Sequence, residues 1–159
     1  GAFLSLNGNP IWFALVPVWL FLRMALNAVD GMLAREHGQK SVLGAYLNEI
    51  GDVISDAALY APFAIIAPFS ALWIFAIIFI ATLTEFVGVT AASLGSSRRY
   101  DGPMGKSDRA VVFGVLGAWI AIDGILPQWM FWLQPVLCAL LILTVVKRIR
   151  NGMAEAPNA

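Results

Sequence analysis

Residues 27–52 read NAVDGMLAREHGQKSVLGAYLNEIGD. This stretch gathers Asp30, Arg35, Glu36, His37, Lys40, Glu49 and Asp52 inside a chain that is 60% hydrophobic and only 13% charged over 159 residues. Typical soluble domains carry roughly 25% charged residues, and the mean hydropathy here is +0.79. A soluble fold of this size could not hide so much apolar surface. The chain therefore reads as an integral membrane protein, and the polar stretch as its exceptional feature.

Outward from that stretch, the chain divides into segments long enough to span a bilayer, which takes about 20 mostly apolar residues. Five qualify, at about 11–35, 42–67, 70–92, 109–126 and 128–150. The expected architecture is a polytopic all-α helix bundle in a single domain, 1–159. Pro10, Pro68, Pro103 and Pro127 lie at or between segment ends, as helix breakers do. Pro17, Pro62 and Pro135 fall inside segments, where kinks are expected. The opening stub GAFLSLNGNP is too short to span and lacks the basic start of a signal peptide. It reads as the tail of a preceding helix.

Charge placement supports the span count. With alternating spans, Arg35, Lys40, Arg98, Arg99, Lys106, Arg109, Lys147, Arg148 and Arg150 all fall on one side, nine of the ten Lys and Arg residues. Basic loops stay cytoplasmic, so the polar face is expected to meet the cytoplasm. The formal net charge is zero, which gives no reason to expect a nucleic-acid partner. The lone Cys138 cannot form an internal disulfide and reads as a small core hydrophobe.

The polar stretch bridges the first two segments. Asn27, Asp30, Gly31 and Ala34 end the first at spacings of three and four, which is one helix face. Gly44, Asn48, Asp52 and Asp56 follow at steps of four in the second. Facing each other, these stripes would bring Asp30 and Asp52 into one pocket near the membrane surface. Ionisable groups within spans are costly, so a functional site is the default reading. Clustered acids repel unless a cation joins them, and carboxylates plus substrate phosphates commonly hold Mg²⁺. Gly31, Ala34 and Gly44 leave room for a bulky ligand against the backbone, and Arg35 suits a phosphate. The pattern points to metal-assisted chemistry on a phosphorylated substrate at the lipid headgroup level.

The spacing resembles the motif Asp-x2-Asp-Gly-x2-Ala-Arg-x8-Gly-x3-Asp-x3-Asp of the CDP-alcohol phosphotransferase (phosphatidyltransferase) family. Every spacing holds, and six of the eight fixed residues match: Asp30, Gly31, Ala34, Arg35, Gly44 and Asp52. RRYDGPMGKSDRA, residues 98–110, is similar to the basic cytoplasmic loop of bacterial members. The resemblance covers essentially the whole chain. It implies six spanning helices, five visible here with the N-terminal one missing or truncated. It implies transfer of a phosphatidyl group from CDP-diacylglycerol to a small polar alcohol, with release of CMP, in phospholipid biosynthesis. The positions of Asn27, Asp30, Asn48 and Asp52 would hold Mg²⁺ or Mn²⁺, with Asp52 also the base on the acceptor hydroxyl. Gly31, Ala34, Arg35 and Gly44 would border the CDP moiety. Arg98, Arg99, Lys106 and Arg109 would bind a phosphate on the acceptor or the lipid headgroup, against the plainer reading of positive-inside anchors. Family members are often homodimers.

Asn27 and Asn48 depart from the motif, since an Asn oxygen ligates a hard cation but brings no charge. Three readings follow. Glu49, Asp56 or Glu85 compensates; or the site binds one metal, or binds metals weakly; or the protein is catalytically degenerate and keeps a structural or binding role. Asn48-x3-Asp52-x3-Asp56 also resembles a motif of UbiA-type membrane prenyltransferases, but the second half of the chain lacks the second Asp-rich motif these need. Glu85 is placed either in the active-site cavity or in a bond to a neighbouring helix. Arg23 either snorkels or pairs within the bundle. The tryptophans read as interface anchors and packing.

Overall fold

The computed structural model describes residues 9–36 and 42–156; of residues 27, 28, 30, 31 and 33–36 it describes the helical backbone alone. His37 and Lys40 lie outside the described residues. Among the described residues, five α-helices follow in order: α1 (Leu15–Glu36), α2 (Val42–Tyr60), α3 (Ala71–Ser93), α4 (Lys106–Asp123) and α5 (Leu133–Glu155). Short 3-10 turns at Pro10–Ala14, Ala61–Ile65 and Gln128–Trp132 precede or extend them. Among the described residues there is no strand.

The prolines expected to kink helices do not lie in helix interiors. Pro17 and Pro135 each stand third in their helix, α1 and α5, where the missing N–H would have had no intrahelical partner. Pro62 follows the end of α2 and sits in the Ala61–Ile65 turn. Lacking an N–H, it cannot continue the α-ladder, so the second segment stops short of the expected 67.

Among the described residues, two helices are long and apolar enough to cross a membrane: Ala71–Ser93, at hydropathy 2.2, and Gln128–Glu155, at 2.1. About a third of each is buried within the protein, 33% in both cases. A soluble core helix of that composition would be mostly buried, so these outward apolar faces suit lipid. The other three helices fall short for readable reasons. Only Pro10–Leu26 of the first is apolar, and the start of α2 is polar. α4 has 18 residues, with Lys106, Asp108, Arg109 and Asp123 near its ends.

The chain forms two compact units. The first comprises residues 1–62 and 110–126. In it Phe13, Val16 and Leu20 are buried, as are Tyr60, Phe113 and Ile120. The Tyr60 and Phe113 rings stack with centroids 3.9 Å apart. Gly117 permits close approach of α4 to the start of α1, because a Cβ there would stand 3.0 Å from both the Phe13 carbonyl oxygen and Val16.

The second unit comprises residues 63–109 and 127–159. Its α3 buries Ile74, Ile77, Ala81, Thr84, Gly88 and Ala91. Its α5 buries Gln134, Leu137, Leu141, Thr144, Arg148 and Gly152. Steps of three and four make each set one helix stripe, and these two helices pack together. Buried polar groups on the stripes are bonded, as their desolvation requires. Gln134 Oε1 accepts from the Ser70 N–H at 2.9 Å, and Thr144 Oγ1 accepts from the Met104 N–H at 3.0 Å. The second bond ties the loop 94–105 to α5. Gly102 makes this fit possible: its φ is +122°, and a Cβ would come within 2.5 Å of Thr144.

Candidate active site in the first unit

Gly44, Asn48 and Asp52 lie one turn apart on α2 and line one cavity of about 620 Å³. Leu47, Gly51 and Ser55 complete that wall; Trp19, Leu22, Arg23 and Leu26 of α1 form the other. The spacing of four on α2 thus does what the sequence suggested for Gly44, Asn48 and Asp52. Gly44 and Asn48 are exposed, while Asp52 and Asp56 are each 7% exposed.

Arg23 joins the two buried acids. Its Nε and Nη2 lie 3.4 and 3.3 Å from Asp52 Oδ1, and its Nη1 donates to Asp56 Oδ1. All three side chains are near-buried, at 12%, 10% and 9% exposure. Two carboxylates one helical turn apart in a low-dielectric setting repel, and a guanidinium between them removes that penalty. Of the two readings for Arg23, pairing within the helices is the one observed. Trp19 lines the cavity.

The α1 half of the motif has a helical backbone through Glu36. The side chains of Asn27, Asp30, Gly31, Ala34 and Arg35 lie outside the described residues. In sequence, Asn27 follows Arg23 by one turn and Asp30 by about two. Among the described residues no three His, Cys, Asp or Glu side chains converge on one point.

A second polar cluster lies in the second unit. Glu85 Oε1 accepts from Arg109 Nη2 at 3.0 Å. Its Oε2 lies 3.6 Å from Arg98 Nη2 and 3.7 Å from Arg148 Nη1. Arg109 and Arg148 are 2% exposed. Arg109 also donates to Thr84 Oγ1 and the Met104 carbonyl, at 3.2 and 3.4 Å. Arg148 donates to the carbonyls of Asp101 and Thr84. Glu85 thus bonds to neighbouring elements within this unit, one of its two expected roles.

The four loop residues proposed for phosphate have different surroundings. Arg109 is buried on Glu85. Arg99 donates to Asp101 at 2.8 Å and to Glu155. Arg98 lies over the Tyr100 ring, 4.9 Å from its centroid. Lys106 opens α4, where Asp108 Oδ2 accepts from the Gly105 N–H at 2.8 Å and caps the helix. The Arg99 guanidinium, donating to Asp101, holds that carboxyl below the usual carboxylate range. The same bond raises the guanidinium of Arg99 above its ordinary value. Sequence reading missed the burial of Arg148. The available signal was its place four residues after Thr144 on the stripe of Leu137 and Leu141.

Comparison with known proteins agrees with the motif. The model of the CDP-alcohol phosphatidyltransferase family matches residues 2–146. The inner membrane protein YnbA of Escherichia coli (strain K12) is 49% identical over 154 residues, covering 95% of this chain and 75% of that protein. The archaetidylinositol phosphate synthase of Aeropyrum pernix is 31% identical over 144 residues, covering 88% of this chain and 72% of that one. The chain belongs to the CDP-alcohol phosphatidyltransferase family, membrane transferases of substituted phosphate groups.

Proposed function

We propose that this chain transfers a phosphatidyl group from CDP-diacylglycerol to a small polar alcohol, with release of CMP, at the α1–α2 cavity. The observation that carries this reading is the convergence of Gly44, Asn48 and Asp52 on one cavity wall, in the register of the family motif. The apolar flank of Trp19, Leu22, Leu26 and Leu47 suits a lipid substrate, and the side-chain-free Gly44 suits close approach of the nucleotide.

The donor set suits a hard divalent ion, since Asp52 and Asn48 present oxygens one turn apart to the same space. Those two residues, with Asn27 and Asp30 from α1, would hold Mg²⁺ or Mn²⁺. When bound, the metal supplies charge neutralisation to the diphosphate and to departing CMP. Asp52 takes the proton of the acceptor hydroxyl. The acceptor oxygen forms a bond to the phosphatidyl phosphorus, and the bond from that phosphorus to the CMP oxygen breaks. Arg23 keeps Asp52 oriented toward the cavity. The pocket faces the cytoplasm in this reading, in keeping with the basic loops.

The basic loop takes a phosphate of the acceptor or headgroup through Arg98, Arg99 and Lys106. Arg109 serves that loop from beneath, because a side chain 2% exposed and bonded to Glu85, Thr84 and Met104 shapes a site without touching its ligand. The name of the Aeropyrum relative supports a phosphorylated polyol as the acceptor class.

The test is CMP release in liposomes holding the protein, CDP-diacylglycerol, Mn²⁺ and a pool of polar alcohols. Release that requires metal and alcohol is expected, and omission of alcohols one at a time then identifies the acceptor. Pyrophosphate release would favour the prenyltransferase reading. No product under any condition, from folded protein, would favour the degenerate one.

A further inference from the structure

Gly51 stands in the middle of α2, where glycine weakens a helix relative to alanine. Close packing is one reason to keep such a residue, as at Gly117, where a Cβ would stand 3.0 Å from the Phe13 carbonyl oxygen and from Val16. Gly51 has different surroundings. Among the described residues, a Cβ built there would meet no atom within 4 Å. What lies in front of it is the cavity that Asn48 and Asp52 also line. Its missing side chain leaves room in a binding space and not between two packed helices.

That space has an order along α2. Gly44 lies two turns before Gly51 on the same face, about 10 Å away at 1.5 Å per residue, and Ser55 lies one turn beyond. Arg23 of α1 pairs with Asp52 and Asp56. Only residues 37–41 join the two helices, too few to return along either one, so α1 and α2 run antiparallel. Leu26 therefore belongs to the Gly44 end of the cavity, and Trp19 to the Ser55 end. Trp19 and Leu22 are 59% and 44% exposed, which leaves apolar surface open to that end. The Ser55 hydroxyl donates to the Asp52 carbonyl oxygen at 3.2 Å, so its hydrogen is used on its own helix. A lipid donor carries its nucleotide, its diphosphate and its diacylglycerol in sequence. With the nucleotide at Gly44 and the reacting phosphorus at Asp52, the diacylglycerol falls to the apolar end, beside Gly51.

We propose that Gly51 is a specificity-determining residue, whose missing side chain admits the glycerol and the ester-linked ends of the acyl chains of the donor beside Asp52. The inference rests on the transfer reading above and deepens it, by naming the residue that makes room for the lipid half of the donor.

The experiment follows CMP release by the full chain in mixed micelles, with CDP-dioleoylglycerol, Mn²⁺ and the alcohol that the omission assay identifies. Thermal unfolding of the same proteins is measured without substrate. Gly51→Leu is expected to raise the KM for CDP-dioleoylglycerol by about tenfold or more. The KM for the alcohol is expected to stay near wild type, and so is inhibition by free CMP, which fills the nucleotide end alone. Gly51→Ala adds a methyl group to open space. It is expected to raise Tm by about 1–4 °C and the donor KM by a smaller factor than Gly51→Leu. A glycine kept for packing would show the opposite sign in Tm.

A lower Tm for Gly51→Ala would mean that protein and not donor meets this position, and would overturn the inference. So would an unchanged donor KM in Gly51→Leu, or a change in the alcohol KM or in CMP inhibition as large as that in the donor KM. In each of these cases transfer by the wild type stands. No CMP from the wild type under any condition would overturn the transfer reading and this inference together.

Discussion

Glu85 is a carboxylate shared by Arg98, Arg109 and Arg148. This makes the effects of substitution asymmetric. Glu85→Gln keeps the shape and removes the charge that three guanidinium groups share, two of them 2% exposed. Breaking a buried ion pair by neutralising one partner costs roughly 3–5 kcal/mol. Arg109→Met removes the bond to Glu85 and those to Thr84 and Met104. Yet Glu85 keeps Arg98 and Arg148 at 3.6 and 3.7 Å. The expected cost is about 1–3 kcal/mol. At about 2–4 °C per kcal/mol for a chain of this size, Glu85→Gln should lower Tm by roughly 6–20 °C. Thermal unfolding of both variants in the same detergent, followed by tryptophan fluorescence, provides the comparison. An Arg109→Met protein as unstable as Glu85→Gln, or more so, would refute the view that Glu85 is the shared anchor.

Two other outcomes follow from the second unit. Gly102→Ala forces a Cβ within 2.5 Å of Thr144 at a φ of +122°, so it should cost about 2 kcal/mol or more and loosen the loop 94–105, seen as faster protease cleavage there. The Asp101 carboxyl lies below its unfolded value of 3.8 because Arg99 donates to it. Its contribution is therefore complete above about pH 4 and is lost as pH falls through the lower folded value. Pepsin cleavage of the loop should rise over that acid window, and Asp101→Asn should cleave at a rate less dependent on pH.

Much of the architecture was legible in the sequence because it rests on local rules. Hydrophobic runs of about 20 residues and proline breakers located five helices, and a four-residue period put Gly44, Asn48 and Asp52 on one cavity wall. Helix ends were less legible. Pro17 and Pro135 sit in first turns, where proline does no harm, and nothing local distinguishes such a position from a kink. Pairings across long separations were the hardest to read. Arg23 and Asp56 are 33 residues apart, and no local pattern tells which faces of α1 and α2 meet. Arg109 and Arg148 looked like positive-inside anchors because their count and position fit that rule equally well. Their burial follows from Glu85, whose partners appear only when α3 and α5 pack. The expectation of five spans met a similar limit, as two of the five helices reach membrane length and apolarity while the others share their length with polar function.

The central claim is that Asp52 in the α1–α2 cavity carries phosphatidyl transfer. ³¹P NMR of one liposome reaction, with CDP-diacylglycerol, Mn²⁺ removed before acquisition, and the identified alcohol, follows donor, CMP and product lipid together. The account predicts equal amounts of CMP and new phosphodiester lipid from the wild type. It predicts a loss of roughly 10²–10⁴-fold in both for Asp52→Asn, with the variant still folded. Undiminished transfer by Asp52→Asn would contradict the account, and so would CMP formed without a matching lipid.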